Sequence, residues 1–337
     1  MIKEAIAKLV GGYSLTMDEA SAVMNEIMEG TATPAQFGAF VTALRCKGET
    51  VEEIAGLART MRVKALRVNI SEPVVDTCGT GGDGKGTFNI STTTAFVVAA
   101  CGLKVAKHGN RAMSSQCGSA DVLEAMGVKI DLNPQQVQKC LETVGIGFML
   151  APVFHPAMKY ASAPRKEVGI RTVFNILGPL TNPAGARSQV LGVPEKNLTE
   201  KMATVLKMLD CQHALVVYGE DGLDEITVTG KTFISELKNG SVKNYEVTPE
   251  EMGLTRAKPE SLKGGTVKDN ADLLLNILSG KKGACRDIVL INTTAALLAG
   301  DKVTTLGQGI TLAEQAIDSG KALRKVEELV KFSNNPN

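Results

Sequence analysis

The feature that most constrains this chain is a glycine-rich loop that follows an apolar strand near residue 75. Val74 and Val75 lead through Asp76 into positions 79–86, where five of eight residues are glycine. An apolar, helix-like stretch, 95–100, follows the loop. Glycine lets the backbone approach a ligand closely, and a helix N-terminus adds partial positive charge. A strand, a glycine loop and a helix start in this order therefore predict a cradle for an anion.

A second polar segment follows the next predicted strand, 103–106. Lys107 and Arg111 supply two cations, and Ser114 and Ser115 supply hydroxyl groups. Cations and hydroxyls are the groups that proteins use to hold phosphates. Placed beside an anion cradle, they indicate a large polyanionic ligand of the phosphorylated kind.

Two known phosphate-binding motifs nearly match the loop, and each lacks one part. A Gly-x-Gly-x-x-Gly spacing starts at Gly79, but no acidic residue stands about 20 positions further on, because none lies between Asp83 and Asp121, so the ribose-binding acid of a dinucleotide fingerprint is missing. Lys85 fits a nucleotide P-loop, but Gly86 stands where that motif has Ser or Thr. A plain surface turn is the third alternative, and it needs only one or two glycines.

Several short segments resemble the motifs of the anthranilate phosphoribosyltransferase family, whose members act in tryptophan biosynthesis. These segments are 79–83, 89–92, 107–111, 119–121, 155–158, 171–175, 178–183 and 222–225, and the resemblance extends from about residue 2 to 330. It implies a glycosyltransferase that moves the 5-phosphoribosyl group from phosphoribosyl diphosphate (PRPP) to the amine of anthranilate. Diphosphate would be released, and magnesium would be the metal.

The resemblance also implies which residues hold each ligand. Those expected to bind PRPP are Gly79, Gly82, Asp83, Thr87, Asn89, Ile90, Ser91, Thr92, Lys107, Arg111, Ser115 and Ser119. Those expected to bind anthranilate are Gly79, Asn110, Arg165 and His108, and those expected to bind magnesium are Ser91, Asp224 and Glu225. Asp83, Lys107 and Glu225 would stabilise the transition state. No covalent nucleophile or general base is expected, and His155 would shape the acceptor pocket.

The residue types suit these roles, although each has a simpler reading. Asp224 and Glu225 are adjacent carboxylates after a predicted strand, and magnesium prefers few protein carboxylates together with substrate phosphates. Adjacent acids are more often a solvated turn, so the metal role depends on the resemblance. An arginine fork can hold a carboxylate, but Arg165 alone is as readily a surface residue.

The patterning predicts an α/β fold with a small N-terminal helical domain and a larger α/β domain. We expect helices in residues 1–70, with a capping box at Thr50 and Glu53, and a return of the chain to this domain near 165–185. From residue 71 to 337 short apolar strands alternate with helices, which favours a mostly parallel central sheet like that of nucleoside phosphorylases and phosphoribosyltransferases.

The predicted elements of the α/β part are as follows. The candidate strands are 74–76, 103–106, 129–130, 147–150, 189–192, 214–218 and 288–291. The candidate helices are 92–101, 119–126, 134–144, 197–209, 269–279 and a final piece, 312–330. Strands, a hairpin and loop are expected in 230–268.

Charge and composition exclude several partners. A net charge of +1 gives no electrostatic footprint for nucleic acid or an acidic membrane surface. No apolar run approaches the ~20 residues that span a bilayer, and no signal-peptide core follows Met1, so we expect a cytoplasmic protein without a membrane partner. Seven scattered cysteines predict reduced thiols. The resemblance implies a homodimer, and anthranilate synthase is a further candidate partner.

Two other functions compete with this hypothesis. A pyrimidine nucleoside phosphorylase has a similar fold and binds inorganic phosphate without magnesium, whereas Asp224, Glu225 and the segment 107–111 favour transfer from a diphosphate. A non-catalytic relative that binds nucleic acid is the second competitor. It should show a basic stripe and an eroded glycine loop or acid pair, and this sequence has neither.

Overall fold

The N-terminal part of the chain is a bundle of helices. The structure is a computed structural model that describes residues 1–112 and 116–336. The bundle consists of α1 (Ile2–Val10), α2 (Met17–Met28), α3 (Pro34–Lys47) and α4 (Val51–Lys64). Their apolar faces meet in a core that includes Met24, Phe40 and Leu44, each buried completely. Burial of these faces, more than helix propensity, stabilises the bundle.

Local sequence sets where three of these helices begin. Thr16, Thr33 and Thr50 each accept a hydrogen bond from the backbone amide three residues later, whose own side chain accepts one from the threonine backbone. Such capping boxes satisfy amides that a helix start leaves unpaired. The predicted capping box at Thr50 and Glu53 is confirmed.

The rest of the chain is organised around one twisted sheet. Its strands are β1 (Val74–Gly79), β2 (Lys104–Gly109), β3 (Ile146–Leu150), β4 (Ser188–Gly192), β5 (His213–Gly219), β6 (Thr232–Lys238) and β7 (Ser241–Val247). The sheet order is β3-β2-β1-β4-β5-β6-β7, parallel from β3 to β5 and antiparallel for the last two pairs. The predicted mostly parallel sheet is confirmed.

The strand order defines where a ligand should bind. From β1 the chain moves outward to β2 and β3, and then returns to the other side of β1 with β4 and β5. The direction of progression therefore reverses between β1 and β4. In open α/β sheets a crevice forms at the carboxyl ends of the strands at such a switch point, and ligands bind there.

Helices cover both faces of the sheet. The remaining α-helices are α5 (Ile90–Ala100), α6 (Ser119–Ala125), α7 (Pro134–Thr143), α8 (Ala151–Phe154), α9 (Lys159–Val168), α10 (Phe174–Leu177), α11 (Leu198–Met208), α12 (Val267–Leu278), α13 (Ala284–Ala299), α14 (Leu306–Asp318) and α15 (Lys321–Asn334). Short 3-10 helices are Pro156–Met158, Gly178–Leu180, Glu250–Met252 and Pro259–Leu262. One sheet face packs on α5 and α13, and the other shares a core with α11 and the helical bundle.

Two predicted strands are wrong. Residues 288–291 lie inside α13, whose surface is buried almost all round, and a continuous apolar run does not distinguish a buried helix from a buried strand. Residues 129–130 form no strand, because this two-residue piece connects α6 to α7 and Lys129 N donates to Ser333 Oγ at 3.0 Å instead of to a sheet neighbour. The predicted final piece, 312–330, is two helices, since Gly320 takes a φ of +71° between them.

The segment between β3 and β4 leaves the sheet and packs on the helical bundle. Helix α9 lies against α2 and α3, and α10 lies against α4. This return was predicted near 165–185, and α9 extends it back to Lys159. One apolar core therefore continues from Phe37 of α3 through Phe174 of α10 to Leu191 of β4.

Two further predictions can be compared with the structure. Among the described residues no disulfide joins any two cysteines, and thiols such as those of Cys78 and Cys140 are buried. Within the same residues, no helix is both long enough and apolar enough to cross a bilayer.

Candidate active site

The glycine loop follows β1 at the switch point of the sheet. Gly81, Gly82, Gly84 and Gly86 have φ values of +68°, +80°, +68° and +65°. Residues with a β-carbon rarely adopt this region, so the path of the loop requires glycine at these positions. The loop ends at Asn89, the residue before α5, and the first amides of a helix have no partner within the helix. The predicted order of strand, glycine loop and helix start is confirmed.

Asp224 is docked directly on this loop. The backbone N–H of Gly81 donates to Asp224 Oδ2 at 2.8 Å. A β-carbon on Gly79 would lie 2.2 Å from Asp224 Oδ2, and one on Gly192 would lie 1.5 Å from Asp224 O. Gly79 and Gly192 are paired in register at the carboxyl ends of β1 and β4. The two glycines therefore provide the space in which the acid-bearing turn after β5 meets the anion cradle.

Ser91 and Glu225 also belong to this cluster. Thr77 Oγ1 donates to the backbone oxygen of Ser91 at 3.0 Å, which ties the start of α5 to β1. The backbone N–H of Ser91 lies close enough to the Glu225 carboxylate to oppose the rise in its pKa. The structure thus brings together Ser91, Asp224 and Glu225, the three residues predicted to bind magnesium.

The carboxylates at this site are crowded and poorly hydrated. Burial, followed by repulsion from the nearby charge of Asp83, raises the pKa of Asp224 to about 7. Burial followed by repulsion from Asp224 raises the pKa of Glu225 well above its ordinary value. Negative charges held together in this way favour a bound cation, because a cation relieves both burial and repulsion.

The oxygen donors fit Mg²⁺. Two carboxylates and a hydroxyl supply hard oxygen ligands, and Mg²⁺ usually takes its remaining ligands from water and substrate phosphates. Among residues 1–112 and 116–336, no group of three or more His, Cys, Asp or Glu side chains could enclose a metal by itself.

Lys107 lies beneath the cradle. Its side chain is almost completely buried, and Nζ donates to Thr77 O at 2.5 Å and to Ser91 Oγ at 3.5 Å. Burial lowers the pKa of Lys107, while the charges of Asp76 and Glu225 oppose that shift. The ammonium group therefore lies between the end of β1 and the start of α5, close to the charges of Asp76 and Glu225.

The predicted 5-phosphate side is formed around α6. Arg111 makes a two-pronged contact with Glu124, at 2.7 and 2.9 Å, and a third contact with Asp121 at 3.1 Å. The guanidinium group thus faces the acids of α6 in this structure, so a phosphate would have to displace them. Ser119 Oγ donates to the backbone oxygen of Asn110 at 3.3 Å, which places both residues on this side. Ser114 and Ser115 lie outside the described residues.

Other predicted PRPP residues contribute through their backbone. The side chains of Ile90 and Thr92 are buried, so these residues can present only main-chain groups at the start of α5. Thr87 forms an isolated bridge with Lys263, which fixes the far end of the glycine loop. Asn89 Nδ2 donates to the backbone oxygen of Cys117 at 3.1 Å and so joins the loop to the α6 side.

Two histidines form the wall between the sheet and the returning segment. The rings of His108 and His155 lie 5.1 Å apart, centroid to centroid. His108 Nδ1 is 3.2 Å from Gly178 O, and His155 Nε2 is 3.1 Å from Thr181 O. Burial lowers the pKa of His108 to about 3 and that of His155 to about 4, so both rings are neutral at neutral pH. A neutral aromatic wall suits a flat aromatic ligand.

Arg165 is an unpaired cation of the returning segment. It lies on α9, and its side chain is half-buried. Within the described part of the chain its guanidinium group has no hydrogen-bond or ion-pair partner, and burial lowers its pKa. A desolvated, unpaired guanidinium is poised to bind a carboxylate.

Sequence reasoning missed one residue of the cleft. Arg171 belongs to the recognised segment 171–175, but no role was predicted for it. Its guanidinium group contacts the glycine loop through Gly81 and Gly82. The only signal in the sequence was its place in that segment, because the contact joins residues about ninety positions apart.

Family models match both parts of the chain. Residues 3–65 match the helical bundle domain of a glycosyl transferase family, and residues 71–323 match the a/b domain of the same family. The fold and the phosphate-type site at its switch point therefore define a glycosyltransferase.

Full-length relatives narrow the class. The chain is 58% identical to an anthranilate phosphoribosyltransferase of Dehalococcoides mccartyi, an alignment covering 99% of this chain and 98% of the relative. A solved anthranilate phosphoribosyltransferase from Thermus thermophilus superposes with a TM-score of 0.93 at 44% identity, covering 98% of this chain and 99% of the other. One from Saccharomyces cerevisiae in complex with PRPP and Mg gives 0.91 at 29% identity, covering 99% and 98%. This chain belongs to the anthranilate phosphoribosyltransferase family.

Proposed function

We propose that this chain transfers the 5-phosphoribosyl group of PRPP to the amine of anthranilate and releases diphosphate, a step of tryptophan biosynthesis. The observation that carries the proposal is the hydrogen bond from Gly81 N to Asp224 Oδ2, which makes the anion cradle and the acid pair one structure. A site of this kind suits a diphosphate that arrives with a cation. The names of the full-length relatives supply the acceptor.

On the donor side, the protein fixes the diphosphate and balances the charge that develops as it leaves. The glycine loop and the start of α5 lie at the switch point, where their free amides would hold the diphosphate, and Lys107 adds a buried positive charge. Such preorganised groups stabilise charge without reorganising during the reaction. Asp83, Lys107 and Glu225 have this transition-state role in the proposal, and Arg111 and Ser119 hold the 5-phosphate side.

Magnesium is the cofactor in this proposal. When bound, it neutralises the diphosphate and so assists its departure. Asp224, Glu225 and Ser91 would hold it, and their crowded carboxylates are the observation that supports this role. The yeast relative has been solved with both PRPP and Mg.

On the acceptor side, Arg165 holds the carboxylate of anthranilate, and Asn110, His108 and the Gly79 backbone line the site. The neutral rings of His108 and His155 would flank the aromatic ring without attracting a second anion. An aromatic amine is unprotonated at neutral pH, so it can attack without a general base. Holding the amine in line with the leaving diphosphate then supplies the main acceleration.

The proposal extends to assembly and location. Residues 1–70 with the returning segment form the helical domain, and residues 71–337 form the domain that holds PRPP. Two copies associate through the helical domain, a role supported by the apolar side chains of Val10 and Tyr13, which are 74% and 69% exposed. A cytoplasmic location and an association with anthranilate synthase stay predictions.

The test of the proposed reaction is product identity. The protein is incubated with PRPP, Mg²⁺ and anthranilate, and the products are identified by mass spectrometry. The expected result is phosphoribosyl anthranilate and diphosphate in equal amounts. Release of a free base from a pyrimidine nucleoside and inorganic phosphate, without any product from PRPP, would assign the chain to the competing phosphorylase activity.

A further inference from the structure

Arg171 crosses from the returning segment to the glycine loop. It lies between α9 and α10, and its Nη1 and Nη2 donate to the backbone oxygens of Gly82 and Gly81, each at 3.2 Å. Its side chain is exposed, and within the described residues it forms no ion pair with a carboxylate. The exposed guanidinium group of Arg171 is therefore hydrogen-bonded to two neutral carbonyl groups of the glycine loop.

The contact is closely fitted. A β-carbon on Gly82 would lie 1.5 Å from Arg171 Nη1, so no other residue fits at that position without moving the arginine. Gly82 also has a φ of +80°, which independently favours glycine. The planar guanidinium fork presents two parallel N–H groups, which matches two successive carbonyl oxygens in a way that a lysine ammonium group does not.

This contact sets the direction of the loop peptides. In a trans peptide the C=O and N–H point in opposite directions. Because the carbonyls of Gly81 and Gly82 face Arg171, the N–H groups of Gly82 and Asp83 point away from it. On the other side of the loop, Gly81 N is held by Asp224. The loop is therefore fixed from two sides, and its amides are oriented before any anion arrives.

The same contact links the two halves of the cleft. Gly169, with a φ of +69°, ends α9 two residues before Arg171. Helix α9 carries Arg165 and packs on the helical bundle. A side chain anchored at the end of α9 thus reaches the loop that belongs to the sheet.

We propose that Arg171 is a positioning residue that holds the carbonyl groups of Gly81 and Gly82 and so preorganises the glycine loop for PRPP. The proposal rests on the proposed function for its substrate. It assigns Arg171 to the donor, although the residue lies on the acceptor segment. Loss of two hydrogen bonds from a charged group should weaken donor binding by about tenfold or more.

The test compares Arg171→Met and Arg171→Lys with Arg187→Met. Arg187 is a matched control, because it is also exposed and donates to a backbone oxygen, that of Asp210 at 3.2 Å, at the start of β4 away from the cleft. Arg171→Met should raise the KM for PRPP about tenfold and leave the KM for anthranilate within about twofold. The KM of Arg171→Lys for PRPP should lie between the values of Arg171→Met and of the unmodified protein. Both KM values of Arg187→Met should equal those of the unmodified protein.

Hydrogen exchange measured by mass spectrometry gives a readout that needs no activity. In Arg171→Met, amides of residues 79–89 should exchange faster, while those of α13 should not change. A rise in the anthranilate KM alone would overturn the proposal and make Arg171 an acceptor residue. Unchanged exchange and unchanged KM values would show that the contact has no positioning role. If neither the unmodified protein nor any variant turns over PRPP, the proposed function is wrong. The hydrogen-exchange result then still decides whether Arg171 positions the loop.

Discussion

In the proposed function, the donor side of the cleft is built on neighbouring strand ends of one parallel sheet, whereas the acceptor side combines strand-end residues such as His108 with a segment that leaves the sheet. The glycine loop follows β1, Gly192 ends β4, and the acid pair follows β5. Arg165, in contrast, is carried by α9, which packs on the helical bundle. The position of Arg165 therefore follows that of the helical bundle, whereas the glycine loop and the acid pair are attached to strands of the sheet.

The two sides also differ in charge. The donor side concentrates carboxylates, a buried lysine and oriented amides, and burial raises the pKa of Asp224 to about 7. The acceptor side has neutral histidines and the single unpaired guanidinium of Arg165 among its described residues. Under the proposed function, this difference in charge means that the donor side binds a polyanion together with a cation, while the acceptor side binds a single carboxylate.

The largest effect is expected from removing the acid pair. Asp224→Asn combined with Glu225→Gln should lower kcat/KM by at least about 100-fold, because the charge that holds the metal is lost. Steady-state rates at saturating Mg²⁺ measure the loss. Asp272→Asn on the exposed side of α12 is the control and should be neutral. Activity within about tenfold of the unmodified protein would separate the acid pair from the reaction.

A smaller loss is expected from filling the space that Asp224 occupies. A β-carbon on Gly79 would meet Asp224 Oδ2 at 2.2 Å, so Gly79→Ala should push the acid pair off the loop and raise the KM for PRPP about tenfold or more. Gly307→Ala is the control, since nothing lies within 4 Å of a β-carbon there. An unchanged KM for PRPP in a folded Gly79→Ala variant would show that the docking of Asp224 does not matter for donor binding.

Arg165→Met tests the other side of the comparison. It should raise the KM for anthranilate about tenfold while the KM for PRPP stays within about twofold, because one charge-assisted contact is lost. Lys166→Met, which removes the exposed neighbouring cation, should change neither value. Equal increases for both substrates would remove the distinction between a donor side and an acceptor side.

The smallest effect concerns pH and stability. The pKa of Asp224 is raised from 3.8 to about 7 in the folded protein, so the protonated form is favoured by folding. The contribution of protonated Asp224 to the free energy of unfolding is therefore fully present below pH 3.8 and is lost as pH rises through 7. Without metal, the Tm of the unmodified protein should therefore fall relative to that of Asp224→Asn between pH 5 and 8, by a few degrees at most. A constant difference across that range would contradict the raised pKa, and added Mg²⁺ should stabilise the unmodified protein more at pH 8 than at pH 6.

The glycine loop could be predicted from the sequence because its determinants are local. Positive φ values demand glycine, so the loop at 79–86 is visible as a run of glycines. The capping box at Thr50 and Glu53 is likewise a pattern within one turn. The strands that precede the loop and the acid pair are short, apolar and bounded by turns.

The failures have a common physical origin in distant contacts. The apolar run at residues 288–291 fits a buried strand and a buried helix equally well. Only its packing on the sheet shows that it belongs to the helix α13. The pairing of Arg111 with Glu124 depends on how α6 is placed, and the link from Arg171 to Gly81 depends on the return of the chain from the helical bundle. No short window of sequence contains these relations.

The most direct test of the account is the loss of anthranilate fluorescence in the presence of this protein. The account predicts a loss that requires both PRPP and Mg²⁺, and that disappears in the Asp224→Asn, Glu225→Gln double variant but not in Asp272→Asn. Loss of fluorescence that is independent of PRPP, or that survives in the double variant, would contradict a single cleft in which the acid pair and the glycine loop act together.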